Sequence, residues 1–486
     1  MSAPTAPFTP DARPWDVRGL PFTVVGAARS GLAAANALAQ RGADVRLVDA
    51  KPGLARPTAL HPAAAFQAGT NLPRPGDLAV LSPGIKETSP VRGEIAARAR
   101  EVLGEIELFY RLAPPRVPLV AITGTDGKST TTTMLGAIVR AAGRRAWVGG
   151  NLGNPLCEAL AESPEGPAID GPGEAGAPAD APPPVVVAEV SGFQLTTAVR
   201  FRPDVAVITN IAVDHTDYHG GFEAYQAAKR RIFARMAAPD TLIVRGDDPH
   251  IGAWSLPAEL PVRRFAPGPD AATATRAGAP LDAYQGGDGA LFVTVGGEPQ
   301  RLMGREELPL MGVHNVANAL AAAQAAVALG LPVEAARRGL MGYEALPHRL
   351  RPVARVGGVL WVNDSKATNP NAASAGLRAV AAERPVVLLA GGSDKRADFT
   401  ALGALIRQRT KAVVLFGQTR AQLARAIGPD HAVTLVDDLP AAVTRARALA
   451  TPGDAVLLSP ACASYDQFRS FEHRGEVFEE LVRALG

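Results

Sequence analysis

Short β-branched runs alternate with alanine-rich stretches along almost the whole chain, and that alternation restricts the fold more than any other feature. "FTVVGA" (22–27), "DVRLVDA" (44–50) and "DLAVLSPG" (77–84) read as parallel strands of a first unit. "PVVVAEVS" (184–191), "VAVITNI" (205–211) and "TLIVRGDD" (241–248) belong to a second sheet. "GVLWVNDS", "RPVVLLAGGS", "AVVLFGQ" and "DAVLLSPA" supply a third. Strands separated by helical segments are the mark of the α/β class. One stretch, "ALFVTVGGEPQRLM" (290–303), reads instead as a hairpin appended to the second sheet.

At 486 residues the chain is too long for one ordinary core. A Pro-rich crossing at "APPRVPLV" and a hinge near "ALPHRL" divide it into three domains in series: 1–112, 113–346 and 347–486. "NVANALAAAQAAVALG" (315–330) is a helix stopped by Gly330, with Pro332 just beyond. Residues 161–184, dense in Pro, Gly, Ala and acids, read as a disordered loop. Lys+Arg number 50 against 47 Asp+Glu, a near-balance that argues against a nucleic-acid binder. Two cysteines, Cys157 and Cys462, make neither a disulfide framework nor a zinc set. The Pro-rich start lacks an apolar export segment, and the apolar runs are too short to span a membrane. A cytoplasmic enzyme without membrane insertion is the expectation.

"LVAITGTDGKSTTTTMLGAIV" (119–139) carries the clearest chemistry: strand, glycine turn, helix. Gly124 and Gly127 can aim backbone N–H groups at one point, and the following helix adds the positive end of its dipole. Lys128 offers a mobile cation for outer phosphates, and Ser129 a hydroxyl for phosphate or Mg²⁺. Gly124, Thr125, Asp126, Gly127, Lys128, Ser129 and Thr130 therefore form a candidate nucleotide loop. It departs from the strict G-x-x-x-x-G-K-[ST] pattern, and a glycine-rich turn with a chance lysine is the competing reading. Glu189 ends another strand, and Asp214, His215, Asp217 and His219 cluster after a third. Carboxylates and an imidazole at the carboxyl ends of strands suit a divalent cation beside that loop. Solvated strand-end acids are the bland alternative for each taken alone.

"VVGAARSGLAAANALAQRGADVRLVDA" has a G-x-A-x-x-G turn at Gly26, Ala28 and Gly31, with Asp49 eighteen residues further on. Alone it suggests a dinucleotide, although Ala28 replaces the middle glycine of that fingerprint. The physics it shares with other such turns is a pyrophosphate on a helix N-terminus.

"GTDGKSTTT", "EVSGFQL", "NIAVDHTDYH", "AAKRRIF", "GVHNVANALAA", "LPHRL", "NDSKATNP" and "SPACASYDQFRSFEHRG", in this order from about Gly26 to Gly475, resemble the blocks of the Mur ligases. The last two are the most discriminating and resemble the branch that adds D-glutamate. The resemblance implies a Rossmann-like N-terminal domain, a central P-loop-type ATPase sheet and a Rossmann-like C-terminal domain. It implies a monomeric, ATP-dependent amide ligase of peptidoglycan-precursor synthesis, with UDP-N-acetylmuramoyl-L-alanine and D-glutamate as substrates and two Mg²⁺ ions. Carried onto this chain, Ser129, Glu189, His215 and a carbamylated Lys229 are metal contacts, and Lys128, His215 and Lys229 the catalytic set. Asn315, Asn318, Arg349 and Asp364 match nucleotide positions. Ala28, Arg29, Ser30, Asp49 and Asn151 match the UDP-substrate side, and Lys366, Thr368, Lys395, Ser464, Tyr465 and Phe471 the D-glutamate cradle. Two positions depart from the pattern: Asp126 stands where Asn is usual, and Gly192 where a second serine is usual. Another amide ligase such as a folylpolyglutamate synthase, an oxidoreductase built on the first domain, and a nucleotide-gated binding protein remain the alternatives.

Overall fold

The computed structural model describes residues 13–160, 162–163, 166–167, 184–213, 216–268, 280–393 and 397–486. Most of the 161–184 stretch therefore lies outside the described residues, as do Asp214, His215 and Lys395. Three large sheets are present, as the α/β alternation requires. They fall into two compact units, residues 1–308 with 317–342, and residues 309–316 with 343–486.

The first unit holds two sheets. A five-stranded parallel sheet has the order Ala65–Ala68, Asp44–Asp49, Pro21–Val25, Leu78–Leu81, Glu101–Gly104. The order of strands reverses between Pro21–Val25 and Leu78–Leu81, and a crevice lies between their carboxyl ends. The second sheet has nine strands, with Leu119–Thr123 flanked by Val185–Glu189 on one side and Val205–Ile208 on the other. Its far edge is the antiparallel hairpin Leu291–Val295 and Glu298–Met303, turned through Gly296 and Gly297 at positive φ. One apolar cluster runs from Phe22 and Leu38 through Ile106 and Phe109 to Leu119, Phe201 and Leu242. That shared core unites the two sheets in one compact unit, even though the Pro-rich crossing separates them in sequence.

Buried polar groups reinforce the join. Glu107, wholly buried, accepts from the backbone N–H of Val199, Arg200 and Phe201 and from Arg111 Nε at 2.8 Å. Arg111 is also buried and reaches Glu101 at 2.6 Å. Removing Arg111 would leave buried Glu107 without its charge partner, a loss of roughly 3–5 kcal/mol.

The second unit is a six-stranded sheet ordered Arg351–Val356, Val359–Asn363, Ala455–Leu458, Val386–Gly391, Ala412–Phe416, Val433–Leu435. Only Arg351–Val356 runs antiparallel to its neighbour. Helices cover both faces. Pro370–Ala381, Thr400–Arg409 and Arg420–Ile427 pack on one face, and Leu439–Leu449 and Phe471–Arg483 on the other. Their starts follow capping chemistry: Asn369, Asp438 and Ser470 accept N–H bonds from the first turn, and Pro370 and Pro440 need none. Pro309–Val316 belongs to this unit because Met311 enters its core and Gly312 N donates to Glu383 Oε1 at 3.3 Å.

Candidate active site

The glycine loop lies at the carboxyl end of Leu119–Thr123 and opens the helix Lys128–Ala141. Both glycines are obligatory. Gly124 (φ 147°) leaves no room for a Cβ, which would lie 1.9 Å from Thr209 Oγ1; at Gly127 (φ 80°) it would lie 2.3 Å from Asn318 Oδ1. No side chain caps the helix that follows Gly127, and its N-terminal end carries the positive end of the helix dipole that favours an anion. The neighbouring strand end clamps the loop. Thr209 Oγ1 donates to Asp126 O at 2.5 Å, Asn210 Nδ2 donates to the same oxygen, and Asp126 N donates to Asn210 Oδ1 at 3.0 Å. With its backbone held this way, Asp126 presents an exposed side chain. Thr125 Oγ1 meets Tyr225 Oη at 2.8 Å, and Lys128 folds over the loop, donating to Gly124 O at 3.0 Å and Thr125 O at 2.6 Å. Ser129 is buried and Thr130 half-buried in the first helical turn. Asn318 accepts from Thr131 Oγ1 at 3.3 Å, whereas Asn315 Nδ2 donates back to Met311 O at 2.8 Å.

Register brings the other groups to the same edge. Glu189 pairs with Ile122 across one ladder and with Gly150 across the next. Its carboxylate is 2 % exposed; Oε1 accepts from Asn151 Nδ2 at 2.7 Å, and Oε2 has no hydrogen-bond partner. A buried carboxylate oxygen left this way suits a bound cation. Lys229, equally buried, donates to Gly124 O at 2.7 Å and lies 4.6 Å from the centre of the Tyr225 ring. Ser191 is spent as a helix cap with Gln194. A Cβ at Gly192 would lie 3.3 Å from His219 Nε2, so the glycine makes room for an imidazole stacked on Phe193. Among the described residues no three His, Cys, Asp or Glu side chains converge. His215, the imidazole expected as a ligand, lies outside them.

The first sheet's crevice holds the second glycine turn. A Cβ on Gly31 would lie 1.8 Å from Gly26 O, which brings the helix Arg29–Gln40 tight against the strand. That helix also starts without a side-chain cap, at exposed Ala28, with Ser30 in its first turn. Asp49 accepts from Ala27 N and Lys51 N, both at 2.9 Å, bracing the turn from the neighbouring strand. Arg29 Nη2 donates to Asn154 Oδ1 at 3.2 Å, beside the Asn151 turn. Ser82, whose Cβ would lie 2.8 Å from one added at Gly26, faces the turn across the crevice. Its strand-end signal was present in "LSPG" (81–84) but carried no distinguishing chemistry.

In the second unit the candidate residues gather at the carboxyl ends of Val359–Asn363 and Ala455–Leu458, which are adjacent strands. Asp364 is buried; Ser459 Oγ donates to its Oδ2 at 2.7 Å and Leu350 N to its Oδ1 at 3.3 Å. Burial pushes its pKa up to about 7, against the lowering effect of those bonds and of Arg349. Lys366 Nζ sits 3.8 Å from the centre of the Phe471 ring, and Thr368 N donates to Lys366 O. Ser464 is buried and Tyr465 is 71 % exposed. His348, Leu350 and Ala461 all have positive φ without being glycine, and all three flank these residues. Such strained backbone concentrates where a chain presents functional groups. Burial lowers the His348 pKa, and Asn363 Nδ2 lies 3.0 Å from its Nδ1.

Residues 122–326 match the Mur ligase middle domain, and residues 348–462 match the Mur ligase glutamate ligase domain. The chain belongs to the Mur ligase family. Proteins of Pelotomaculum thermopropionicum and Salinibacter ruber, both named UDP-N-acetylmuramoylalanine--D-glutamate ligase, are each 39% identical to it. The first match covers 95% of this chain and 97% of the relative, the second 98% and 100%. Among solved structures, a pseudomurein peptide ligase type C from Methanothermus fervidus superposes with a TM-score of 0.56 at 18% identity, covering 96% of this chain and 100% of its own. The MurF ligase from Thermotoga maritima in complex with ADP gives 0.53 at 16% identity, covering 85% and 96%. These structures share the fold.

For this Mur ligase, the most consequential residue that sequence reasoning passed over is Arg474, inside "FEHRG". It is wholly buried, and Nε donates to Ser365 Oγ, Nη2 to Ser365 O and Nη1 to Cys462 O at 3.0 Å. Burial lowers its pKa to about 10, with Asp466 and Asp364 among the groups opposing the shift. It ties the two candidate loops of the second unit together. Cys462 is likewise buried, against Thr419 Oγ1 at 3.2 Å, the small packed residue its sequence context suggests.

Proposed function

We propose that this chain joins D-glutamate to the L-alanyl carboxylate of UDP-N-acetylmuramoyl-L-alanine, using ATP, as a step in making peptidoglycan precursors. Near-full-length identity to ligases of that name carries the choice of substrates. The uncapped helix end behind Gly124 and Gly127, with buried Glu189 beside it, supports the chemistry.

The assignment divides the chain by role. Residues 1–112 hold the uridine diphosphate part of the substrate, with its pyrophosphate on the N–H groups that follow Ala28 and with Arg29, Ser30 and Asp49 beside it. Residues 113–346 bind ATP. Residues 347–486 supply D-glutamate contacts through Lys366, Thr368, Lys395, Ser464, Tyr465 and Phe471, and complete the nucleotide site with Arg349 and Asp364. Asn315 and Asn318 contribute further nucleotide contacts, and Asn151 a contact to the substrate.

A carboxylate is a poor electrophile at neutral pH, so amide formation needs a leaving group. Phosphoryl transfer to the L-alanyl carboxylate supplies one, and the D-glutamate amine then attacks the acyl phosphate and expels phosphate. The protein's task is positioning and charge neutralisation. The N–H groups after Gly127 hold the phosphates, and Lys128 swings from the loop carbonyls to the outer phosphate on its flexible stem. Mg²⁺, held by Ser129, Glu189 and His215, would screen the triphosphate, and the bare Glu189 Oε2 fits that role. Lys229 as an ammonium donates to the Gly124 carbonyl; carbamylated, it would become an anionic ligand for a second ion. No helix among the described residues is long and apolar enough to cross a membrane. A cytoplasmic site of action accords with the need for ATP.

Phosphate release tests the reading. Turnover should require both UDP-N-acetylmuramoyl-L-alanine and D-glutamate, with L-glutamate inactive. Turnover with L-glutamate and a folate, or turnover indifferent to the muramoyl substrate, would contradict it.

A further inference from the structure

We propose that Asp466 is a positioning residue for D-glutamate, an inference that rests on the functional reading above. Three loops of the second unit meet at this one side chain. They follow the strands Val386–Gly391, Ala412–Phe416 and Ala455–Leu458, at the carboxyl edge of the sheet. Ser393 Oγ donates to Asp466 Oδ1 at 3.3 Å, and Asp466 N donates back to Ser393 Oγ at 2.8 Å. Gln418 N donates to Oδ2 at 3.1 Å. The fit is close: Gly417 has φ 70°, and a Cβ there would lie 2.5 Å from Asp466 Oδ2. A Cβ on Gly392 would lie 2.2 Å from Ala463 O, so the first and third loops also touch through backbone.

The opposite end of the same segment is fixed independently. Arg474 Nη1 donates to Cys462 O and Ala463 O, and Ser393 N donates to Ala463 O at 2.8 Å. The stretch between the anchors is Ser464–Tyr465. One residue is held inward at 2 % exposure and the next is turned out at 71 %. Asp466 thus sets where these two side chains stand relative to the Ser393 loop. Discriminating one enantiomer of a small amino acid requires contacts at fixed separations, and a misplacement of about 1 Å is costly. ATP and the uridine diphosphate group bind through other residues, so loosening this anchor should be felt first by D-glutamate.

Steady-state phosphate release by the purified full-length chain, with each of the three substrates varied in turn, tests the assignment. Asp466→Ala is expected to raise the KM for D-glutamate about tenfold or more, the loss of hydrogen bonds to a charged group. The KM values for ATP and UDP-N-acetylmuramoyl-L-alanine should stay within about twofold, since no contact to them is removed. Asp466→Asn keeps an oxygen for Gln418 N and an amide that donates to Ser393 Oγ, so it should recover most of the affinity. Ser393→Ala removes the same anchor from its other side and should reproduce the KM rise even if Asp466→Ala does not fold. An unchanged KM for D-glutamate in Asp466→Ala or Ser393→Ala would overturn the proposal. So would equal losses for all three substrates that track thermal stability, the signature of a structural role alone. Wild-type turnover that ignores D-glutamate is a separate outcome, and it would refute the functional reading itself.

Discussion

Replacing Asp364 by Asn should make the second unit more stable, and more so as the pH rises. Asp364 is 7 % exposed, and burial raises its pKa from 3.8 to about 7. The folded state therefore keeps a proton that the unfolded chain releases near pH 4. The stabilisation linked to that proton is complete below pH 4 and is lost as the pH climbs to 7. Moving the pKa from 3.8 to about 7 corresponds to about 4 kcal/mol lost by pH 8. Asn cannot ionise, yet it keeps an acceptor for Leu350 N and can donate to Ser459 Oγ, so the local hydrogen bonds survive. The gain over the wild type should grow from a smaller value at pH 5 to about 4 kcal/mol at pH 8. Urea denaturation read by pulsed hydrogen exchange on the strands Val386–Gly391 and Ala455–Leu458 isolates this unit. If Asp364 also contacts the nucleotide, the same variant should bind ATP more weakly, a trade of activity for stability. A stability gain that does not change with pH, or a variant less stable than wild type at pH 8, would refute the reasoning.

The glycine loop yields sharper losses. Lys128→Ala should lower phosphate release at least about a hundredfold while leaving calorimetric binding of UDP-N-acetylmuramoyl-L-alanine intact. Glu189→Gln should raise the Mg²⁺ concentration needed for half-maximal activity about tenfold, because the bare Oε2 becomes part of a neutral amide. Gly127→Ala places a Cβ 2.3 Å from Asn318 Oδ1 at φ 80°, so nucleotide affinity should fall, with about 1–2 kcal/mol from backbone strain alone.

Much of this was legible in the chain because the relevant signals are local. A β-branched run followed by Gly124, Gly127 and Lys128 states strand, turn and helix within a dozen residues, and the structure has each where the pattern puts it. Gly26 and Gly31 likewise announce the turn of the first sheet. Among the strands the sequence reading missed, Ala65–Ala68 and Val433–Leu435 are short and partly exposed edge strands, which carry no continuous apolar run. Grouping the first two sheets in one compact unit depends on Phe22, Phe109 and Phe201 sharing a core, a fact of packing rather than of spacing. Arg474, Asp466 and Glu107 were invisible for a related reason. Several of their partners are backbone atoms of distant loops, and no residue type or interval in the sequence records a backbone N–H or carbonyl waiting for them.

The central claim is that the loop at Gly124–Ser129 directs ATP to the substrate carboxylate. UDP-N-acetylmuramoyl-L-alanine labelled with ¹⁸O in its alanyl carboxylate tests this directly, through mass analysis of the phosphate released in the presence of D-glutamate. One labelled oxygen per turnover should appear in the phosphate, since the carboxylate oxygen that attacks the γ-phosphorus leaves with it. Unlabelled phosphate, released at the same rate as product, would contradict the account.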